Sequence, residues 1–197
     1  MVTALPPPPV PAQIYDEQAD YRWRFDEILD QLPAKHFLSK EHLRNLLSRY
    51  SGEELRRIYH DFFDIKEKTL SNPVYEKNYL VTAGGPGSGK TTLLEELVSQ
   101  REVKPAYIDP DRTCLLNMKT TYVRDLQLRV RNEQEAYEHW RDASNFIANT
   151  LLAVALKEGV SIAHGSTMTS PAAAKVLDHI RSEYGYRVEM IEVNKSN

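Results

Sequence analysis

The residues best suited to chemistry in this sequence form the run GGPGSGKT, residues 84–91. The run satisfies the spacing GxxxxGK[ST]; a short apolar stretch, YLVTA, precedes it and a helical pattern follows it. Glycines let a loop reach positive φ and bring its backbone N–H groups close to an anion, and the dipole of the following helix adds positive potential. We therefore predict a phosphate-binding loop. The alternative is a glycine-rich turn that binds nothing.

Within such a loop the last two residues have the most specific roles. Lys90 is expected to reach the β- and γ-phosphates of a nucleotide, and the Thr91 hydroxyl is expected to ligate the magnesium ion between them. The predicted nucleotide-binding residues are the loop and the first residues of the helix: Gly84, Gly85, Pro86, Gly87, Ser88, Gly89, Lys90, Thr91 and Thr92.

Two carboxylates follow the next predicted strand, residues 106–108, as Asp109 and Asp111. Ligands of open parallel sheets bind at the carboxyl ends of the strands, so both side chains should face the phosphate loop. A hydroxyl that attacks a γ-phosphate needs a carboxylate to orient it and accept its proton. We assign that role to Asp111. Asp109 is predicted to hold magnesium through water and to be one of the substrate-binding residues. Alternatively, the two aspartates only cap the next helix.

A third predicted strand, residues 160–163, ends in another polar set. Here Ser166 or Thr167 could hydrogen-bond an acceptor or a phosphate. His164 is either an acceptor contact or a satisfied histidine at the domain surface, and we favour the second interpretation slightly.

The elements around these motifs predict an α/β fold. From residue 72 to residue 197, strand and helix alternate with linkers suited to right-handed crossovers, which indicates a doubly wound, mainly parallel sheet. Residues 14–71 have helical periodicity and form a helical N-terminal region that either packs on this sheet or offers a surface to another protein. Residues 1–13 are rich in proline and are predicted to be a disordered tail, with a proline-motif ligand as the alternative.

The polar segment 112–140 shows no clear periodicity. In this architecture an insertion at that point usually closes over the acceptor, although an exposed, solvated helix is equally plausible for any single residue in it.

Composition narrows the class of protein. The formal net charge of −3 over 197 residues argues against a nucleic-acid binder. Cys114 is the only cysteine, which indicates a packing thiol in a reducing compartment. The sequence has neither a membrane-spanning run nor a secretory start, so we expect a protein that works in a cytosol, its own or that of another cell.

Together these motifs resemble the zeta-toxin family of P-loop kinases. The resemblance is carried in order by AGGPGSGKTT, YIDPD, SIAHGST and GYRVEMIEV, and covers roughly residues 79–193. It implies ATP- or GTP-dependent phosphorylation of a hydroxyl on a nucleotide or sugar nucleotide, UDP-N-acetylglucosamine in the best-known members. It also implies a toxin or effector, restrained by an antitoxin or chaperone-like protein.

Position by position, Lys90 and Thr91 match the family's phosphate and magnesium residues, and Asp111 matches its general base. Ser166 or Thr167 matches its acceptor-binding threonine.

The sequence departs from the family pattern at three places. His164 stands where the family has an acidic residue, and an acceptor-binding glutamate falls on Asn149. The family's transition-state arginines follow the fourth strand, where this sequence continues for only six residues after Ile191, without an arginine. Three explanations follow. The chain is a fragment of a longer protein, or an arginine from residues 112–141 substitutes for the family's arginines, or the kinase activity has been lost.

Two functions follow from these observations. The first is a zeta-toxin-like kinase, and the alternative is a catalytically incomplete nucleotide-binding module that serves interaction or regulation. A plain ATPase motor is a weaker third, because the third strand does not end in an acidic residue.

Overall fold

The computed structural model describes residues 15–33, 38–166 and 171–194. The predicted tail, Thr167 and the last three residues lie outside these ranges. Seven helices are described: α1 (Glu17–Asp30), α2 (Lys40–Leu46), α3 (Gly52–Thr69), α4 (Lys90–Gln100), α5 (Tyr122–Gln127), α6 (Glu133–Glu158) and α7 (Pro171–Tyr184). The four described strands are β1 (Asn78–Ala83), β2 (Ala106–Ile108), β3 (Ile162–His164) and β4 (Arg187–Glu192).

The four strands form one parallel sheet in the order β2-β3-β1-β4. Tyr79 of β1 lies opposite Ile162 of β3 on one side and Val188 of β4 on the other. From β1 the chain goes to β2 at one edge of the sheet, returns to β3 between β2 and β1, and then crosses to β4 on the other side of β1. Ligands of open sheets bind at such a switch point, and the α/β prediction is confirmed.

The hydrophobic core extends from the sheet into the N-terminal helices. Phe25 of α1 packs edge-to-face on Phe146 of α6, with ring centroids 5.2 Å apart, and Phe62 of α3 lies beside the same ring. These side chains belong to one buried cluster that also includes Val81 and Ile108 of the sheet. Helices α1 and α3 thus pack against α6 through these rings.

Helix α3 begins with a capping box. The Ser51 hydroxyl accepts from the Glu54 amide, and the Glu54 carboxylate accepts from the Ser51 amide. Helix α2 ends at Leu46, and Tyr50 is buried in the segment that joins it to α3.

A buried carboxylate joins α3 to the segment before α5. Asp61 accepts hydrogen bonds from the amide and hydroxyl of Thr120, at 3.0 and 2.9 Å, and from the hydroxyl of Thr121 at 2.7 Å. Burial raises the pKa of Asp61, and these hydrogen bonds oppose that rise. Much of the polar segment 112–140 is therefore packed against the N-terminal helices.

None of the helices in the described ranges is long and apolar enough to cross a membrane.

Candidate active site at the carboxyl ends of the strands

The loop between β1 and α4 has the backbone geometry that its glycines predict. Gly87 and Gly89 have φ of 69° and 86°, in the left-handed region that glycine adopts most easily. Gly84 is required for a different reason, since a Cβ there would lie 2.4 Å from the carbonyl oxygen of Val193. The end of β4 therefore passes directly against the loop, and the Val193 amide donates to the Ala83 carbonyl at 2.7 Å.

Lys90 lies across this loop. Its ammonium group donates to the carbonyls of Gly84 and Gly85, at 2.7 and 2.8 Å. An ammonium has three N–H donors, so one is left for a further acceptor. Lys90 thus lies at the loop, where its charge is available to an anion.

Asp109 begins a π-helical turn, Pro110–Cys114, directly after β2. Its Oδ1 accepts from the amides of Asp111 and Arg112, at 2.8 and 2.9 Å, and its own amide donates to the Thr113 hydroxyl at 2.8 Å. Oδ1 of Asp109 therefore caps this turn, as the alternative interpretation of the aspartates proposed. Single π-helical turns are rare and are frequent at functional sites.

Asp111 projects from the same turn and remains exposed. Burial of part of its surroundings and the neighbouring charge of Asp109 raise the pKa of Asp111, whereas Arg141 and Arg112 oppose the rise. A carboxylate with a raised pKa is a stronger proton acceptor.

The end of β3 closes against Asp109. A Cβ on Gly165 would lie 2.0 Å from Oδ2 of Asp109, so only glycine allows this approach. The Gly165 amide also donates to the Ile108 carbonyl at 2.9 Å, which holds the ends of β2 and β3 together.

His164 is buried, which corrects the preferred interpretation of a histidine at the domain surface. Its Nδ1 shares a short hydrogen bond with the Tyr79 hydroxyl of β1. Burial lowers the pKa of His164 to about 4, so the ring is neutral near pH 7. A hydrogen-bonded His164 was expected. Its burial follows from the position of β3 between β2 and β1 in the sheet.

These elements border a cavity of about 480 Å³. Five predicted residues meet there, namely Lys90, Thr91, Asp109, Asp111 and Ser166, whereas the predicted Thr167 lies outside the described residues. Residues 84–89 form the loop beside the cavity, and Thr92 follows in the first turn of α4.

Helix α6 forms the opposite side of the cavity, which we did not predict as a unit. Four polar side chains, each four residues after the last, line the cavity: Tyr137, Arg141, Asn145 and Asn149. Residues i and i+4 lie on one helical face, so this spacing was the available signal. Asn145 was missed altogether, because the spacing does not show which face of α6 lies over the strand ends until the helix is packed on the sheet.

The donor set fits a magnesium nucleotide. The Ser88 hydroxyl is buried in the loop and has no hydrogen-bond partner among the described residues. Magnesium prefers oxygen ligands and usually combines one or two protein oxygens with waters and substrate phosphates. Thr91 and Asp109 can supply such oxygens; within the described ranges, no group of three metal-binding side chains forms a complete protein cage.

The fold and this cavity define a parallel α/β protein with a phosphate-loop motif at the end of its first strand. The family model described as "Zeta toxin" matches residues 62–196. The chain therefore belongs to the zeta-toxin family, a family of P-loop kinase-like proteins, as predicted.

Among solved structures, the chain is similar to one from a study of the PezAT chromosomal toxin–antitoxin system of the human pathogen Streptococcus pneumoniae. The TM-score is 0.52 at 16% sequence identity, over 70% of this chain and 56% of the other. The match therefore spans little more than half the length of that protein and supports the fold. A search of curated proteins finds no match.

Proposed function

We propose that this protein transfers the γ-phosphoryl group of ATP or GTP to a hydroxyl of a nucleotide or sugar-nucleotide acceptor, and acts as a toxin or effector. The observation that carries the proposal is that Lys90, Thr91 and Asp111 border one cavity at the switch point of the sheet. The first two come from the loop after β1 and the third comes from the turn after β2.

In this proposal the loop amides and Lys90 bind the phosphates of the donor. Thr91, and Asp109 through water, would hold magnesium, which neutralises phosphate charge when bound. Asp111 orients the acceptor hydroxyl and takes its proton. The acceptor oxygen forms a bond to the γ-phosphorus while the bond from that phosphorus to the bridging oxygen breaks, and the nucleoside diphosphate leaves.

The acceptor would lie between the strand ends and α6. Ser166, which lines the cavity after β3, would donate a hydrogen bond to the acceptor, and Thr167 is proposed for the same role from the sequence. Asn149 lines the cavity with a neutral amide, and the family resemblance implies an acceptor-binding glutamate at this position. The acceptor here therefore meets less negative charge than in that pattern.

A protein partner is part of the proposal. The structural neighbour comes from a toxin–antitoxin system, which supports an antitoxin or chaperone-like protein that restrains this chain in a cytosol. Neither nucleic acid nor membrane is proposed as a partner.

One observation favours the second candidate, a nucleotide-binding module without turnover. Two of the three Lys90 donors are held by loop carbonyls, and they must be released before they can contact a phosphate. If that release does not occur, the protein binds a nucleotide without transferring phosphate.

Product formation separates the two functions. The protein is incubated with γ-labelled ATP or GTP, magnesium and a panel of nucleotides and sugar nucleotides. The kinase predicts a labelled acceptor, and Lys90→Ala and Asp111→Asn should each lower its formation by about 100-fold or more. The exposed residues Lys119 and Asp178 lie outside the cavity, so Lys119→Ala and Asp178→Asn are matched controls that should keep full activity. A wild-type protein that binds ATP but labels no acceptor would support the module.

A further inference from the structure

Arg141 is a cation of the candidate site without an ionic partner. Its guanidinium lies 5.7 Å from the centre of the Tyr137 ring, and both side chains face the cavity. Across the described residues, no carboxylate lies within ion-pair distance of Arg141. Two other arginines of the segment 112–141 differ in this respect, because Arg112 pairs with Glu95 and Arg131 with Asp125.

The backbone under Arg141 is held firmly. The Tyr50 hydroxyl donates to the His139 carbonyl at 2.7 Å and accepts from the Ala143 amide at 3.1 Å. The Tyr50 ring also stacks on Trp140, with centroids 5.5 Å apart. Contacts on both sides of Arg141 therefore fix the direction from which its side chain enters the cavity.

The neighbouring charges define what this arginine can bind. Asp111 and Arg141 border the same cavity. Burial and Asp109 raise the pKa of Asp111, and the positive charge of Arg141 opposes that rise. The guanidinium is thus near the carboxylate assigned to the acceptor hydroxyl, yet its N–H donors make no hydrogen bond to any described side chain. Five such donors in a planar fork match the oxygens of a phosphate group.

We propose that Arg141 binds the γ-phosphoryl group and stabilises it during transfer. The inference rests on the proposed function and adds a catalytic residue to it. As the acceptor oxygen bonds to phosphorus and the bridging bond breaks, negative charge lies on the outer phosphate oxygens, to which Arg141 donates. Asp111 accepts the proton from the acceptor, and the Tyr137 ring supports the guanidinium plane.

The test compares two ligands that differ in the γ-phosphate. Calorimetry measures the affinity for MgADP and for the magnesium complex of the imido analogue of ATP. Arg141→Gln should weaken binding of the analogue by about tenfold or more, as expected for a charge-assisted contact, and change MgADP binding by less than about twofold. Arg141→Lys should recover part of the loss, because lysine keeps the charge without the fork.

Arg124 on α5 is exposed and lies outside the cavity, so Arg124→Gln is the matched control and should bind both ligands as the wild type does. Equal analogue binding by wild type and Arg141→Gln would overturn the inference and leave the proposed function standing. An equal loss for both ligands would also overturn it, since Arg141 would then hold the nucleotide elsewhere or support the fold. A wild-type protein that binds neither ligand would overturn the proposed function, and the inference with it.

Discussion

The two sides of the cavity are built in different ways. The strand-end wall comprises Lys90, Thr91, Asp109, Asp111 and Ser166, and the helix wall comprises Tyr137, Arg141, Asn145 and Asn149. On the strand-end wall, key side chains are tied to the backbone by the bonds of Lys90 to the loop and of Asp109 to the next turn. On the helix wall, the four side chains make no hydrogen bond to any residue in the described ranges.

This difference separates folding from binding. Strand-end residues that satisfy backbone groups contribute to stability, so changing them should alter both the fold and the site. The helix-wall side chains point into the cavity from a helix that is fixed by other residues. Changes there should alter ligand contacts alone. The following predictions test this contrast, beginning with the largest expected effect.

Gly165→Ala should be the most damaging single change. The new Cβ would lie 2.0 Å from Oδ2 of Asp109, so the carboxylate must move and release the amides of Asp111 and Arg112. We expect a loss of about 2–4 kcal/mol in the free energy of unfolding, from overpacking and the lost cap. Urea denaturation measures it. The matched control is Gly85→Ala, because a Cβ at Gly85 meets no atom within 4 Å. Equal midpoints for the two variants would contradict the role given to the Asp109 contact.

His164 should make stability depend on pH. Its pKa is about 4 in the folded protein because of burial, against an ordinary value near 6.5 in the unfolded chain. Between these values the unfolded chain binds the extra proton, so stability falls as pH is lowered, by at most about 1.4 kcal/mol per pH unit. Above pH 6.5 this contribution is constant. Urea midpoints from pH 7.5 to pH 4 measure the slope, and His164→Gln should make it shallower. A variant with the same slope as the wild type would exclude His164 as its source.

Tyr50→Phe should have an intermediate effect. The change keeps the ring stacked on Trp140 but removes the hydroxyl that bonds to the His139 carbonyl and the Ala143 amide. We expect a stability loss of about 1–2 kcal/mol, measured by thermal and urea denaturation. Weaker binding of the imido analogue should accompany it, since the hydroxyl positions the helix wall. Tyr15→Phe on the exposed surface is the control. Unchanged stability would show that α6 is held in place by other contacts.

Asn145→Ala and Asn149→Ala should change stability least. Neither amide bonds to a described residue, so each change should alter the free energy of unfolding by less than about 0.5 kcal/mol. If the proposed function holds, both variants should raise the KM for the acceptor more than the KM for ATP. A stability loss as large as that of Gly165→Ala would remove the distinction between the two walls.

Several features of the strand-end wall could be predicted because their signals are local. The phosphate-loop motif, the strand before it and the helix after it occupy one continuous stretch, and glycine at positive φ is a property of each residue by itself. Asp109 and Asp111 directly follow a strand, and parallel strands place their carboxyl ends at one edge. The family and the α/β fold were predicted on the same basis and are confirmed.

The helix wall could not be predicted in this way, because its role depends on distant residues. The Tyr50 hydroxyl accepts a hydrogen bond from the Ala143 amide of α6, and the two residues are 93 positions apart in the chain. The close approach of Gly165 to Asp109 likewise requires β2 and β3 to be neighbours, although α6 separates them in the chain. The sequence interpretation put His164 at the domain surface, because the sequence indicates the strand but not its place between two others in the sheet.

The amino-acid sequence by itself determined the glycine-rich loop after the first strand, the carboxylates after the second strand and the alternation of strands and helices, because each depends on neighbours within about one element. Only the tertiary structure decided which side chains meet across the cavity, that His164 is buried and neutral, and that Arg141 and Asp111 border the same cavity. Those properties depend on strand order and helix packing, which arise from hydrophobic contacts between residues far apart in the chain.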